Sequence, residues 1–179
     1  RLRGRKSPIS MLIHTTALQN GHFGEYEVLK AWLERERSTG RILSLCESIY
    51  EEEKGRLTPE ILRECYPDYA ALDEVDGSFP EFGSIQSEIS LLLSDIRNIM
   101  MGDDKKLSYG EDAIHLCVDN CKANRVAEDG IYMRIVYPEE PMNKAPVFIV
   151  MGGSTLARGL TLEGRVCTYF GRNTNQADT

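Results

Sequence analysis

No stretch of this chain is apolar for the roughly 18 residues that a bilayer-spanning helix needs, so no transmembrane helix is expected. No charged-then-apolar leader opens it, which gives no sign of a secretory signal. Cysteine is scarce and odd in number: Cys46, Cys65, Cys117, Cys121 and Cys167 show no spacing that frames disulfides. Cys117-x-x-x-Cys121, with His115 close by, lacks the second pair that a tetrahedral zinc site requires. Buried or idle thiols in a reducing, cytoplasmic compartment are the expectation. Internal repeats and low-complexity tracts are absent, and so is the phosphate-binding pattern G-x-x-x-x-G-K-[ST]. A complete nucleotide-hydrolysing site is therefore not expected within these residues. A starting methionine is missing too; "RLRGRKSPIS" reads as the interior of a longer protein.

What is present suits one globular domain, or one domain with an insertion. The 179 residues are 41% hydrophobic, enough for a core without staples. Charge is uneven. Residues 21 to 112 hold 10 Lys/Arg against 21 Asp/Glu, while the remainder holds 11 against 7. That balance excludes a protein basic on every side but leaves room for a restricted nucleic-acid face. The acidic block also reads as a solvated helical surface.

"SMLIHTT", residues 10 to 16, predicts a buried strand with a polar tip, and "NGHFG" predicts a break after it. Tyr26, Leu29, Trp32 and Leu33 have helical spacing, with Trp32 expected in core or insertion packing. A second helix is expected over 41 to 53, after a break at Ser38-Thr39-Gly40. Thr58 and Pro59 are the cap and first residue of a third. Residues 66 to 83 read as loop. "SIQSEISLLLSDIRNIM" predicts one helix, capped by Ser84, with Ile85, Ile89, Leu92, Ile96 and Ile99 on one stripe and Gly102 at its end. "DDKKLSYGED" reads as an exposed connection. Strands are expected at 113–120, 131–137, 146–153 and 165–172, and "NTNQADT" reads as the start of a helix. The order predicts an α/β fold with a mainly parallel sheet. Ligands in such sheets gather beyond the carboxyl ends of the strands.

Two stretches end in that style, "LIHTT" and "IVMGGST". In the second, Gly152 and Gly153 permit close approach, Ser154 and Thr155 supply hydroxyls, and Arg158 supplies a cation suited to phosphate. A phosphate-facing loop and a plain structural turn both fit. His14, beside Thr15, fits either a nucleic-acid contact or a hydrogen-bonded strand end. Arg172, after the last strand, is a candidate to face the same cleft as Arg158.

"FIVMGGSTLARGLTLEGRVCTYFGRNTNQADT", residues 148 to 179, closely resembles the Z-one domain, a family labelled as endonuclease and found in bacterial restriction-type systems. "SMLIHTT" and "CVDN" resemble it as well; the acidic helical region does so weakly. The same stretches are similar to the second RecA-like domain of superfamily two helicases. The resemblance implies a single RecA-like lobe over 1–179 with an acidic helical insertion at about 21–112. Arg158, Gly159 and Leu160 match the core of helicase motif V, and Ser154 and Thr155 fall where that loop meets nucleic-acid backbone. Thr161 stands where many helicases carry an aspartate for the nucleotide ribose, so that contact is not carried over. ATP and Mg, a DNA partner and restriction-system subunits are implied for a longer parent protein, a hydrolase, and no cofactor for this chain alone. An interaction module docking a nuclease or methylase partner is one alternative. A metal-dependent endonuclease is another, for which Asp68 after Pro67, the Asp104-x-Lys106 triplet and the Glu51–Lys54 run are the carboxylates available.

Overall fold

The computed structural model describes residues 4–15, 19–68, 79–120, 122–123, 126–127, 129–153 and 162–171. Strand β1 (Ile9–His14) leads into four helices, α1 (Gln19–Thr39), α2 (Arg41–Arg56), α3 (Pro59–Cys65) and α4 (Phe82–Ser94). Then come β2 (Ile96–Arg97), β3 (Ile99–Met101), β4 (Leu107–Ser108), β5 (Ile114–Asp119), β6 (Ile131–Tyr132), β7 (Val147–Gly152) and β8 (Arg165–Phe170). Five strands form one all-parallel sheet in the order β2-β5-β7-β1-β8. The fold is α/β, as the sequence predicts, and its arrangement is consistent with a RecA-like lobe. A small antiparallel sheet, β4-β3-β6, stands beside it.

The central strand β7 is apolar without interruption up to Gly152, and its neighbour β5 is largely apolar around His115. All six residues of β5 are buried, and β7 is nearly so, because each face of a parallel sheet is covered. Alternate residues serve two cores. Ile114, Leu116, Val118 and Met151 pack with Tyr26 and Leu33 of α1 and with Leu93 of α4. On the other face Cys117, Phe148, Val150 and Leu12 pack with Ile99 and Ile135. Tyr26 donates to Asn98 Oδ1 at 2.7 Å, and Asn98 Nδ2 donates to the Leu116 carbonyl at 2.8 Å. This buried chain of hydrogen bonds ties α1 to the sheet.

Several sequence expectations are corrected. "NGHFG" is not a break: Asn20 to Gly24 lie within α1. A helical glycine costs about 1 kcal/mol against alanine, an amount that tertiary packing of a helix readily overrides. The helix expected over 84 to 101 ends at Ser94, and its N-cap is Glu81 rather than Ser84. Ile96 pairs with Ile114, and Ile99 with Tyr132, both in strands. Apolar spacing could not separate these outcomes, because short isoleucine-rich runs satisfy either period. Of the strand expected at 131–137 only Ile131–Tyr132 forms; beyond it Met133 O accepts from Val118 N at 2.8 Å, tethering the segment to β5. The connection at 103–112 contains β4. The 21–112 block is not purely helical, since it also carries β2, β3 and β4, and β2 belongs to the main sheet. Trp32 is not core: it is 36% exposed and lines an apolar groove with Val28, Leu29 and Tyr169. The break before α2 narrows to Gly40 (φ 69°), since Ser38 and Thr39 lie within α1, and the cap at Thr58, whose Oγ1 accepts from Ile61 N, stands where expected. "NTNQADT" lies outside the described residues.

Candidate site at the carboxyl edge

The parallel strands bring their carboxyl ends to one edge. Asp119 of β5 stands beside Gly152 of β7, and His14 of β1 beside Phe170 of β8. The register between β1 and β7, Ile13 opposite Met151, brings His14 next to Gly152. The row therefore runs Asp119, Gly152, His14, Phe170 across four adjacent strands. Gly152 puts no side chain between Asp119 and His14.

Asp119 is fully buried, and its Oδ1 accepts from Arg134 Nε at 3.0 Å. Its Oδ2 is buried without a hydrogen-bond partner. Burial raises its pKa above the ordinary aspartate value, and the Arg134 charge and hydrogen bond pull it part of the way back. The next residue, Asn120, shapes the turn: its Oδ1 accepts from Lys122 N at 2.9 Å and Ala123 N at 3.1 Å. Its Nδ2 lies 3.4 Å from His22 Nδ1, so the start of α1 meets the tip of β5. Lys122 Nζ donates to Asn20 Oδ1 at 2.8 Å, a second link between the same elements. Glu25, one turn on from His22, has its pKa raised by burial and lowered in part by the histidine.

Four of the residues expected at the site are described, and they converge. Gly152 and Gly153 are buried at the end of β7, His14 is buried at the end of β1, and Thr15 follows with its Oγ1 buried and unpartnered. Ser154, Thr155, Arg158, Gly159, Leu160, Thr161 and Arg172 lie outside the described residues. Asp119, Asn120, His22, Arg134 and Phe170 join the edge without having been singled out. An acid-amide pair closing an apolar run was a usable signal for the first two. His22 was hidden inside a glycine-bearing stretch, and nothing local marks Arg134.

The other candidate chemistries do not assemble. Asp68 lies in the turn after α3, and Asp104 Oδ1 accepts from Lys106 N at 3.0 Å in the turn between β3 and β4. Glu51 and Lys54 pair with each other on α2. Among the described residues no group of three His, Cys, Asp or Glu side chains is placed to hold a metal. Cys117 is buried, which pushes its thiol well above the ordinary value, and Cys121 lies outside the described residues. His115 is committed on both nitrogens: Nε2 accepts from Gly110 N and Nδ1 faces the Val147 carbonyl, each at 3.1 Å. No helix among the described residues is long and apolar enough to cross a membrane.

A cavity of about 750 Å³ lies away from this edge, between the small sheet and the 136–142 segment, walled by Leu107, Tyr109, Tyr137 and Met142. It shares no residue with the row of strand tips. Among known proteins, the family model of the Z1 domain matches residues 1–179. No curated protein and no solved structure matches.

Proposed function

The chain belongs to the Z1 domain family, and on that premise we propose that it is a RecA-like lobe that holds nucleic acid across the carboxyl edge of its sheet. In this reading it serves a helicase-like, ATP-driven protein acting on DNA in a restriction or defence system. One observation carries it. The two stretches that resemble nucleic-acid-facing helicase motifs, ending at His14-Thr15 and Gly152-Gly153, lie side by side on adjacent parallel strands. That edge is where such sheets gather their ligands. Arg158, five positions beyond Gly153 in the sequence, is the cation assigned to a backbone phosphate.

ATP and Mg belong, in this reading, to the longer protein. The residues in hand do not fit them, because the sequence has no phosphate-binding glycine–lysine loop and the described residues offer no metal-holding cluster.

The test is binding of a labelled single strand by this chain across a salt series. Arg158→Ala is expected to weaken binding and lower the log–log salt slope by about one phosphate's worth. An unchanged slope would remove Arg158 from the contact.

A second reading has its own support. Leu45 and Ile49 of α2, Leu57 after it and Ile61 of α3 are exposed, near the exposed Glu47, Glu51, Glu52 and Glu53. They suit a docking face for a nuclease or methylase partner. Ile49→Glu would abolish such docking while leaving strand binding unchanged, read by pull-down and anisotropy on the same sample.

A further inference from the structure

We propose that Phe170 is a stacking platform for an unpaired base of a single-stranded nucleic acid, with the His14 ring as its backing. This role rests on the nucleic-acid reading above. It adds that the partner is single-stranded and is touched at a base as well as at its phosphates.

Phe170 closes the edge strand β8 and is 58% exposed, whereas His14 beneath it is 5% exposed. Their ring centroids are 5.0 Å apart with only 12° between the planes. A parallel stack occupies one face of the phenyl ring. With more than half of the residue still in water, the other face is open to a second planar group.

The platform is held in place before any ligand arrives. Gly171 N donates to the His14 carbonyl at 3.0 Å, which pins the end of β8 to the end of β1. A side chain at Gly171 would come within 3.3 Å of Thr15 Cγ2 and 3.2 Å of the Tyr169 ring, so glycine lets the chain pass close. Pre-organised aromatic rings bind with little loss of rotamer freedom.

Position and charge suggest the occupant. Phe170 stands in the row of strand tips, next to His14 and one strand from Gly152. Outside the acidic 21–112 block the chain carries 11 Lys/Arg against 7 Asp/Glu, with Lys122 and Arg134 near the carboxyl edge. A base inside a duplex has both faces already stacked, so only an unpaired base can present one. Stacking of this kind tolerates any sequence, since every base has a flat face.

Anisotropy with a labelled oligothymidylate and with an abasic strand of equal length separates base from phosphate contacts. Phe170→Ala is expected to weaken oligothymidylate binding by about tenfold. Phe170→Tyr should keep it within about twofold. Neither should alter binding to the abasic strand. The exposed position makes both variants compatible with folding, which circular dichroism checks. If Phe170→Ala binds oligothymidylate as tightly as the parent chain while Arg158→Ala does not, stacking is overturned and the nucleic-acid reading stands. If the parent chain binds neither strand, both are overturned.

Discussion

Replacing Arg134 by alanine isolates the buried charge of Asp119 at the carboxyl edge. Asp119 has a side chain 1% exposed, and Arg134 Nε at 3.0 Å is its charged partner among the described residues. Breaking a buried ion pair on one side costs about 3–5 kcal/mol. The Arg134 side chain is 35% exposed, so water already screens part of the pairing, and about 2–3 kcal/mol is the better figure at neutral pH. The unpartnered Oδ2 offers no compensation. The pH dependence gives a sharper signature than the loss itself. Burial already raises the Asp119 pKa above its unfolded value, and without Arg134 it rises further. Between the unfolded value, about 3.9, and that raised value, the folded state keeps a proton which the unfolded state has lost. Stability of Arg134→Ala therefore falls as pH rises through this window and levels off above it. Urea unfolding at about pH 4.5 and about pH 7.5 should show a deficit below about 1 kcal/mol at the acid end and the full deficit at the neutral end. Adding Asp119→Asn to Arg134→Ala should recover part of the loss, so the double variant is less destabilised than the two singles combined. A deficit equal at both pH values, or strictly additive singles, would refute a buried, ionised Asp119 held by Arg134.

Two glycines with left-handed backbone should respond unequally. At Gly40 (φ 69°) a methyl group meets open space, and Gly40→Ala should cost about 1–2 kcal/mol. At Gly164 (φ 60°) the methyl group would run into the Pro8 carbonyl, beside the Ser10 N to Gly164 O bond that joins β8 to β1. Gly164→Ala should lose at least about 3 kcal/mol, and calorimetry that ranks the two alike would refute this. Thiol labelling of the native chain, mapped by mass spectrometry, should modify exposed Cys65 and Cys167 rapidly and buried Cys117 only on unfolding. Early modification of Cys117 would mean that the sheet opens locally.

Much of the scaffold is written locally. Strand β7 was legible because burial on two faces demands a continuous apolar run, and β1 and β5 because short, mostly apolar runs stop at polar tips. The starts of α2 and α3 were legible because Gly40, Thr58 and Pro59 act through their own backbone geometry. His14, Thr15, Gly152 and Gly153 were recognisable as strand tips for the same reason. Where two local readings compete, the sequence alone did not choose. Ile96 and Ile99 fit a helical stripe as well as a strand, and "NGHFG" fits a turn as well as a helix. Pairing of Ile96 with Ile114 and packing of α1 on the sheet made those choices, and both depend on residues far along the chain.

The sequence by itself determined the class of fold, the apolar segments at its centre and the polar tips where those segments stop. Only the tertiary structure decided that Asp119, Gly152, His14 and Phe170 form one row, that Arg134 neutralises Asp119, and that Phe170 lies stacked on His14. The physical reason is separation. A cap or a strand period acts over a few residues, whereas these contacts join residues 15 to 156 positions apart through strand order and register, which no local signal encodes.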